Sequence, residues 1–353
     1  MLLDAQLKAA IIQAALYSPS ADNSQPWQYV WHDTGDLSIW SDPQLSGKAT
    51  DQTYVLTDLA IGNVLEAIKL QAKSLGIDTE LNYFPDEDPM HVAVVSFTSQ
   101  TNQKLEADDC ELAKYIADRH TDRRFPFSGK LDVNIGRQLS ESLNDENCQL
   151  HTFTDRKEIN NYLPLIKKAE SIRFRAESLH SELFQTVNFE DPTPSQGMTL
   201  GMLGIEPFAR PIFRYISTWR NMQKLNKIGA SKMIAIRSVT LPIRLSPGLC
   251  LLTASGESRL DMVKAGQQML RFWLAATKLG LSVHPYAAPG VLTLAKPALD
   301  PLLTNELSDV EKGLAEQLGA SATAIMFFRI GFKKGLPIRS QRRNIDSMLK
   351  IVS

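Results

Sequence analysis

The sequence predicts an α+β protein in which one helix-and-strand unit occurs twice along a single chain. Three observations carry this. Trp27, Tyr29 and Trp31 alternate as a half-buried strand requires. Ala60–Ile77 places Ile61, Val64, Leu65, Ile68, Ala72 and Leu75 on one helical stripe and closes on Gly76, a residue suited to a helix C-terminus. Lys264–Leu281 aligns with it without gaps, so that Gly62 meets Gly266, Leu70 meets Leu274, Ala72 meets Ala276, Leu75 meets Leu279 and Gly76 meets Gly280. The strand Ala324–Ile330 mirrors His91–Phe97, and the pairing reads as an internal duplication. Amphipathic helices ending in glycine share part of this pattern anyway, so the duplication stands as an expectation.

The elements follow in order. Ala10, Ile11, Ala14, Ala15 and Leu16 recur at helical spacing. Ser18-Pro19 stops that helix, because proline has no N–H and pushes its predecessor out of the helical region. A polar turn leads to Gln25-Pro26 and a strand over Trp27–His32. Strands are expected at Leu37–Ser41, Glu80–Phe84 and His91–Phe97, and Thr98–Asp109 reads as a polar linker. A helix over Leu112–Ala117 precedes the run Arg119-His120-Thr121-Asp122-Arg123-Arg124-Phe125, which by charge alone is a solvated helix end. Residues 186–247 interrupt the repeat with Asp191-Pro192-Thr193-Pro194-Ser195 and with Phe208, Ile212, Phe213, Ile216 and Trp219 set among basic residues. Such an insertion reads as a lid or as a surface helix pair. Arg329–Arg343 is the most basic stretch, and residues 331–353 form a basic C-terminal tail.

Composition narrows the function. The chain has 353 residues, 43% hydrophobic and 22% charged, with a formal net charge of −1. That balance excludes the strong basic field of a bulk nucleic-acid binder. Cys110, Cys148 and Cys250 are scattered, with neither zinc spacing nor a disulfide framework, so no metal is expected and a reducing cytoplasm is. No apolar run reaches membrane-span length and the N-terminus lacks signal-peptide features, so no membrane partner is expected.

The turn after the first helix offers hydroxyl, amide and backbone N–H groups to a flat, polar-edged ligand, although Ser20 and Asn23 serve equally as local turn caps. Read whole, Pro19-Ser20-Ala21-Asp22-Asn23-Ser24-Gln25-Pro26-Trp27 resembles the P-S-x-x-N-x-Q-P-W signature of the FMN-dependent nitroreductase superfamily. Arg119 to Phe125 resembles that superfamily's second signature, R-[RH]-[ST]-x-[RK]-x-F. The resemblance implies a nitroreductase-like fold, with antiparallel and mixed sheets flanked by helices. It also implies that Pro19, Ser20, Ala21, Asn23 and Gln25 lie against the flavin ring and ribityl chain. Arg119 and Thr121 would bind phosphate, and Arg123 would face the pyrimidine edge, tasks that suit an always-charged forked donor. The family segment corresponding to Pro285, Tyr286, Ala287 and Ala288 passes the reactive ring edge. There a backbone N–H, often beside a glutamate and a glycine, donates to N5. Alanines stand here instead, so a backbone donor near Ala287 remains without an acidic side chain. His284 is a candidate proton donor, against the commoner structural use of a histidine before proline. Arg339, Arg342 and Arg343 are candidates for further phosphate contact.

The two signatures fall in different halves, and neither half holds both. The resemblance therefore implies a fused pseudo-dimer, as in the mycobacterial Acg-type proteins, with residues 1–105 and 106–353 as its halves and one FMN between them. The expected activity is hydride transfer from NADH or NADPH to the flavin and on to a small nitroaromatic or quinone-like substrate. The alternative is an FMN store under a lid, without nicotinamide-dependent turnover. A pseudo-dimeric monomer or a homodimer fits either.

Overall fold

The computed structural model describes residues 1–99, 107–319 and 322–351. The first half contains α1 (Ala5–Leu16), β1 (Trp27–Trp31), β2 (Leu37–Ser41), α2 (Val55–Ser74), β3 (Ile77–Tyr83) and β4 (His91–Ser99). Then come α3 (Ala107–Ala113), α4 (Val133–Glu141), β5 (Cys148–Phe153), α5 (Arg156–Arg173) and α6 (Glu177–Gln185). The insertion holds β6 (Val187–Asn188), β7 (Met198–Thr199), α7 (Arg210–Ile216), α8 (Trp219–Asn226), α9 (Ala230–Ala235), a π-helical turn over Ile236–Thr240 and α10 (Leu241–Arg244). The chain closes with β8 (Gly248–Ala254), α11 (Arg259–Lys278), β9 (Ser282–Tyr286), α12 (Ala288–Ala295), α13 (Pro301–Leu318), β10 (Thr323–Gly331) and β11 (Leu349–Ile351).

Two sheets organise the molecule. One has the order β11-β1-β2-β4-β3, antiparallel except where β11 runs parallel to β1. The other, β5-β8-β10-β9, is antiparallel throughout. By joining β1, β11 carries the C-terminal tail back across the first half.

Between the sheets, α2 and α11 pack against each other, both buried nearly all round. Their contact is reciprocal: a Cβ on Gly62 would meet the Val263 carbonyl oxygen at 2.0 Å, and one on Gly266 would meet that of Leu59 at 2.2 Å. Each glycine thus receives the backbone three residues before the other, so the gapless alignment of the two helices coincides with a close crossing. Ion pairs flank it. Arg259 clasps the buried Asp58 at 2.7 and 2.8 Å, and Arg271 reaches Glu66 and Asp109, both at 2.8 Å. The start of α11 is legible in sequence as a capping box between Ser258 and Asp261.

Some boundaries differ from expectation. The helix expected over Leu112–Ala117 is α3, which ends at Ala113 and continues as turns. Its first turn holds Asp108 and Asp109, and Asp109 is fixed by Arg271. The expected linker therefore ends in helix, while its residues 100–106 lie outside the described residues. Strand β3 begins at Ile77 rather than Glu80, because Gly76 (φ 74°) turns the chain and Ile77 is at once paired and buried. The insertion packs with the end of α5 and with α6 in a small core that includes Phe174, Leu183, Phe184, Leu200, Ile216 and Met222.

Candidate functional site

The site starts where α1 ends. Ser18 Oγ donates to the Asn63 carbonyl at 3.2 Å, tying the turn to α2. Asp22, Asn23 and Gln25 then take positive φ values of 50°, 57° and 52°, a rare state for residues with side chains. Side-chain bonds hold that strained path. Asn23 Nδ2 faces the carbonyls of Ser195, Gly197 and Gln341 at 3.1–3.4 Å, and its Oδ1 accepts from Arg342 at 3.0 Å. Gln25 Nε2 donates to the Ser195 carbonyl at 2.7 Å, its Oε1 accepts from the Arg343 backbone at 2.9 Å, and Ser20 Oγ accepts from the Gln25 backbone at 2.9 Å. The loop is thereby locked to both the insertion and the tail.

The arginine segment runs beside β9. The Asp122 backbone donates to the Val283 carbonyl at 2.8 Å, and its carboxylate takes a fork from Arg124 at 2.8 and 2.9 Å. Arg329, fully buried on β10, donates to the Asp122 and Arg124 carbonyls and, through Nε, to His284 Nδ1 at 3.1 Å. Arg119 is buried, lies 4.8 Å from the Trp273 ring centroid and donates one bond to the Tyr17 carbonyl. Its Nε has no hydrogen-bond partner among the described residues.

A small cavity of about 100 Å³ forms where these pieces meet, lined by Ser20, Asn23, Arg119, Thr121, Arg123, Arg339 and Arg342 among others. Arg342 donates to the Leu16 carbonyl at 2.7 Å, and Arg339 to the Ala117 and Asp118 carbonyls, each at 3.0 Å. Burial first, then the charges of Arg342 and Arg339, pull the Arg119 pKa down to about 9. Burial likewise pulls Arg342 down to about 10. A chamber whose cations repel one another and leave a buried N–H unsatisfied is chemically matched to an anion.

A large cavity of about 730 Å³ adjoins it, sharing Pro19, Ser20, Thr121, Arg123 and Met198. Ala21, Asp22, Trp273, His284, Pro285, Tyr286, Ala287 and Ala288 line one part. The insertion supplies an apolar part, including Leu203, Ile205, Ile212, Phe213, Ile216 and Ile234. Ala287 and Ala288 stand at the start of α12, where the first amides of a helix have no partner within it. Arg123 bridges the two cavities and donates to the Met202 carbonyl at 3.3 Å.

Most residues expected at a site converge on these two cavities, and three depart from their expected roles. Gln25 and Arg343 line neither cavity. Gln25 is wholly buried in loop hydrogen bonds, and Arg343 is drawn to the Gln25 carbonyl and to Asp42 at 3.7 Å. His284 does line the large cavity, yet burial and then the charges of Arg329 and Arg123 hold its pKa well below the ordinary value. It is neutral at physiological pH and cannot serve as an imidazolium acid. The Arg329 bond fixes its tautomer, leaving Nε2 as the protonated nitrogen. Sequence reasoning missed Arg329 and Trp273, and also Glu170 and Arg173, which line the large cavity. Trp273 reads as core on α11, and Arg173 as an ordinary basic residue in the last turn of α5.

No family model matches the chain. Among curated sequences it is 28% identical over 186 residues to a Mycobacterium tuberculosis protein named "Putative NAD(P)H nitroreductase acg", covering 50% of this chain and 53% of that one. A second M. tuberculosis protein, named "Putative NAD(P)H nitroreductase Rv3131", is 32% identical over 124 residues, 34% of each chain. In sequence the chain is related to the Acg-type proteins. It spans about half the length, or less, of the curated relatives it matches. Similar solved structures include a nitroreductase with bound FMN from Bacteroides fragilis, with a TM-score of 0.37, 11% identity and coverage of 69% of this chain and 99% of that one. Another is the FMN-dependent nitroreductase NfnB from Mycobacterium smegmatis in complex with NADPH, with a TM-score of 0.39, 14% identity and the same coverage.

Proposed function

We propose that the chain binds one FMN across its two cavities and works as an NAD(P)H-dependent oxidoreductase of the nitroreductase type. The observation that carries this is the small arginine-lined chamber opening beside a chamber large enough for a ring system. Its anion chemistry, with Arg119 Nε unpartnered, fits a terminal phosphate. The neighbouring volume falls within the range of small-molecule sites, about 300–1,000 Å³. The names of the relatives support the same reading.

In this reading Arg119, Thr121, Arg339 and Arg342 bind the phosphate. Pro19, Ser20 and Ala21 pack beside the ring system, and Arg123 holds fixed positive charge at its pyrimidine edge. The backbone at Ala287 and Ala288 offers N–H donors, and His284 presents a neutral Nε2–H rather than a titrating acid. The insertion acts as a lid that supplies the apolar walls of the large cavity. FMN held by these residues would supply the redox chemistry, hydride acceptance from NADH or NADPH and reduction of a nitroaromatic or quinone-like acceptor. The site draws on residues 19–23 and on residues 119–123 and 284–288 of one chain, which favours a fused pseudo-dimer with a single flavin.

The test is a visible spectrum of protein saturated with FMN, repeated after anaerobic addition of NADPH and then NADH. Bleaching within seconds supports the oxidoreductase. Bands that persist with both donors indicate flavin storage beneath the lid, and failure to take up FMN removes the flavin reading altogether.

A further inference from the structure

The lid has an outer surface that the flavin reading leaves unused. Residues 206–245 carry eight basic residues, among them Arg210, Arg214, Lys224, Lys227 and Lys232, against a single acid, Glu206. The whole chain has a formal net charge of −1, so the rest of the molecule is acidic and this segment is its cationic pole. The same stretch holds half of the large apolar side chains exposed among the described residues. Phe208 is 85% exposed and Ile228 81%, and Ile212, Tyr215, Met233, Leu241 and Leu245 accompany them. A lid that merely covered a ligand would bury such residues inward and leave polar ones outside.

We infer that this face of the insertion docks on the surface of an anionic lipid bilayer. Basic side chains interleaved with exposed aromatic and aliphatic ones on short helices are the chemistry of interfacial binding, where apolar groups enter the headgroup region and cations meet lipid phosphates. No helix of the described residues is long and apolar enough to cross a membrane, so the contact is peripheral. Charge complementarity decides the occupant: a symmetric dimer through this face would bring two equally cationic surfaces together, whereas an anionic leaflet brings the opposite charge. The position of the large cavity agrees. Ile212, Ile228 and Met233 are exposed and also line it, so its apolar end opens through the docking face. A docked lid would admit acceptors dissolved in the bilayer.

The test is flotation of the full-length protein with phosphatidylcholine vesicles, with and without phosphatidylglycerol, a readout that needs neither flavin nor turnover. The protein should float with the anionic vesicles alone, and added salt should weaken binding. Each basic residue at such a surface is worth about fivefold in partitioning, so K224Q/K227Q/K232Q should bind about a hundredfold more weakly. Phe208→Ser should weaken binding while leaving its salt dependence in place. All four positions are exposed, and unchanged thermal melts would confirm intact folding. Absence of flotation with anionic vesicles, or equal flotation of the triple variant, overturns the inference. So does sedimentation showing a dimer that Phe208→Ser dissociates, which would assign the face to a second copy.

Discussion

Gly62→Ala asks whether the α2–α11 crossing is as tight as the structure has it. The new Cβ would sit 2.0 Å from the Val263 carbonyl oxygen and 2.8 Å from Gly266 Cα, both backbone atoms with no rotamer to yield. Ordinary contact begins at 3.4 Å, so relief requires the helices to part locally by about 1.4 Å in a close-packed core. Over-packing typically costs about 1–3 kcal/mol, and a backbone clash belongs at the upper end. Alanine's better helix preference returns about 1 kcal/mol, leaving a net loss of roughly 2 kcal/mol. At about 2.1 cal/mol/K of unfolding entropy per residue, that lowers the melting temperature of a chain this long by roughly 3 °C, if it unfolds as one unit. Gly136→Ala in α4 is the matched control. Its Cβ would meet Thr152 at 3.6 Å, ordinary contact, so the same chemical change should stabilise by up to about 1 kcal/mol. The assay is thermal unfolding by circular dichroism of both variants and of Gly62→Ala/Gly266→Ala. The double variant should cost less than the sum of its parts, because either methyl already separates the helices. Equal signs for Gly62→Ala and Gly136→Ala would refute the reasoning.

Other outcomes follow from the site and its supports. Arg119→Gln should weaken FMN binding about 10- to 150-fold, the range for a charged hydrogen bond, and leave riboflavin affinity unchanged; fluorescence titration with both ligands checks this. Arg271→Met leaves the buried Glu66 and Asp109 carboxylates without their partner and should cost about 3–5 kcal/mol in urea unfolding. Replacing all three charges with neutral side chains should recover much of that loss. His284 binds a proton in the unfolded chain near pH 6.5 but not in the folded one. Its contribution therefore lowers stability as pH falls below about 6.5, and His284→Gln should flatten the slope of stability against pH there by up to one proton.

Much of the candidate site was legible because its residues lie in two short stretches whose spacing is itself the signal. Residues 19–23 and 119–123 meet at the cavities, and the glycine pairing of the two long helices coincides with a physical crossing. What escaped was of another kind. Gln25 belongs to the signature, but its amide is consumed by the Ser195 and Arg343 backbones, and such partners lie 170 or more positions away. The choice among the tail arginines was unreadable until β11 paired with β1, which lays Arg339 and Arg342 across the cavity and turns Arg343 toward Asp42. Arg329 looks in sequence like the first member of a basic tail, yet it is a central-strand residue that sets the protonation of His284. In each case a long-range contact decides the role, and no local pattern encodes it.

The central claim is that one phosphorylated flavin spans the two halves with its phosphate among Arg119, Arg339 and Arg342. Isothermal titration of apoprotein with FMN and with riboflavin tests it most directly. The account predicts one FMN per chain, with riboflavin at least about 100-fold weaker because the arginine chamber stays empty of its anion. Equal affinity for the two ligands, or two FMN molecules per chain, would contradict it.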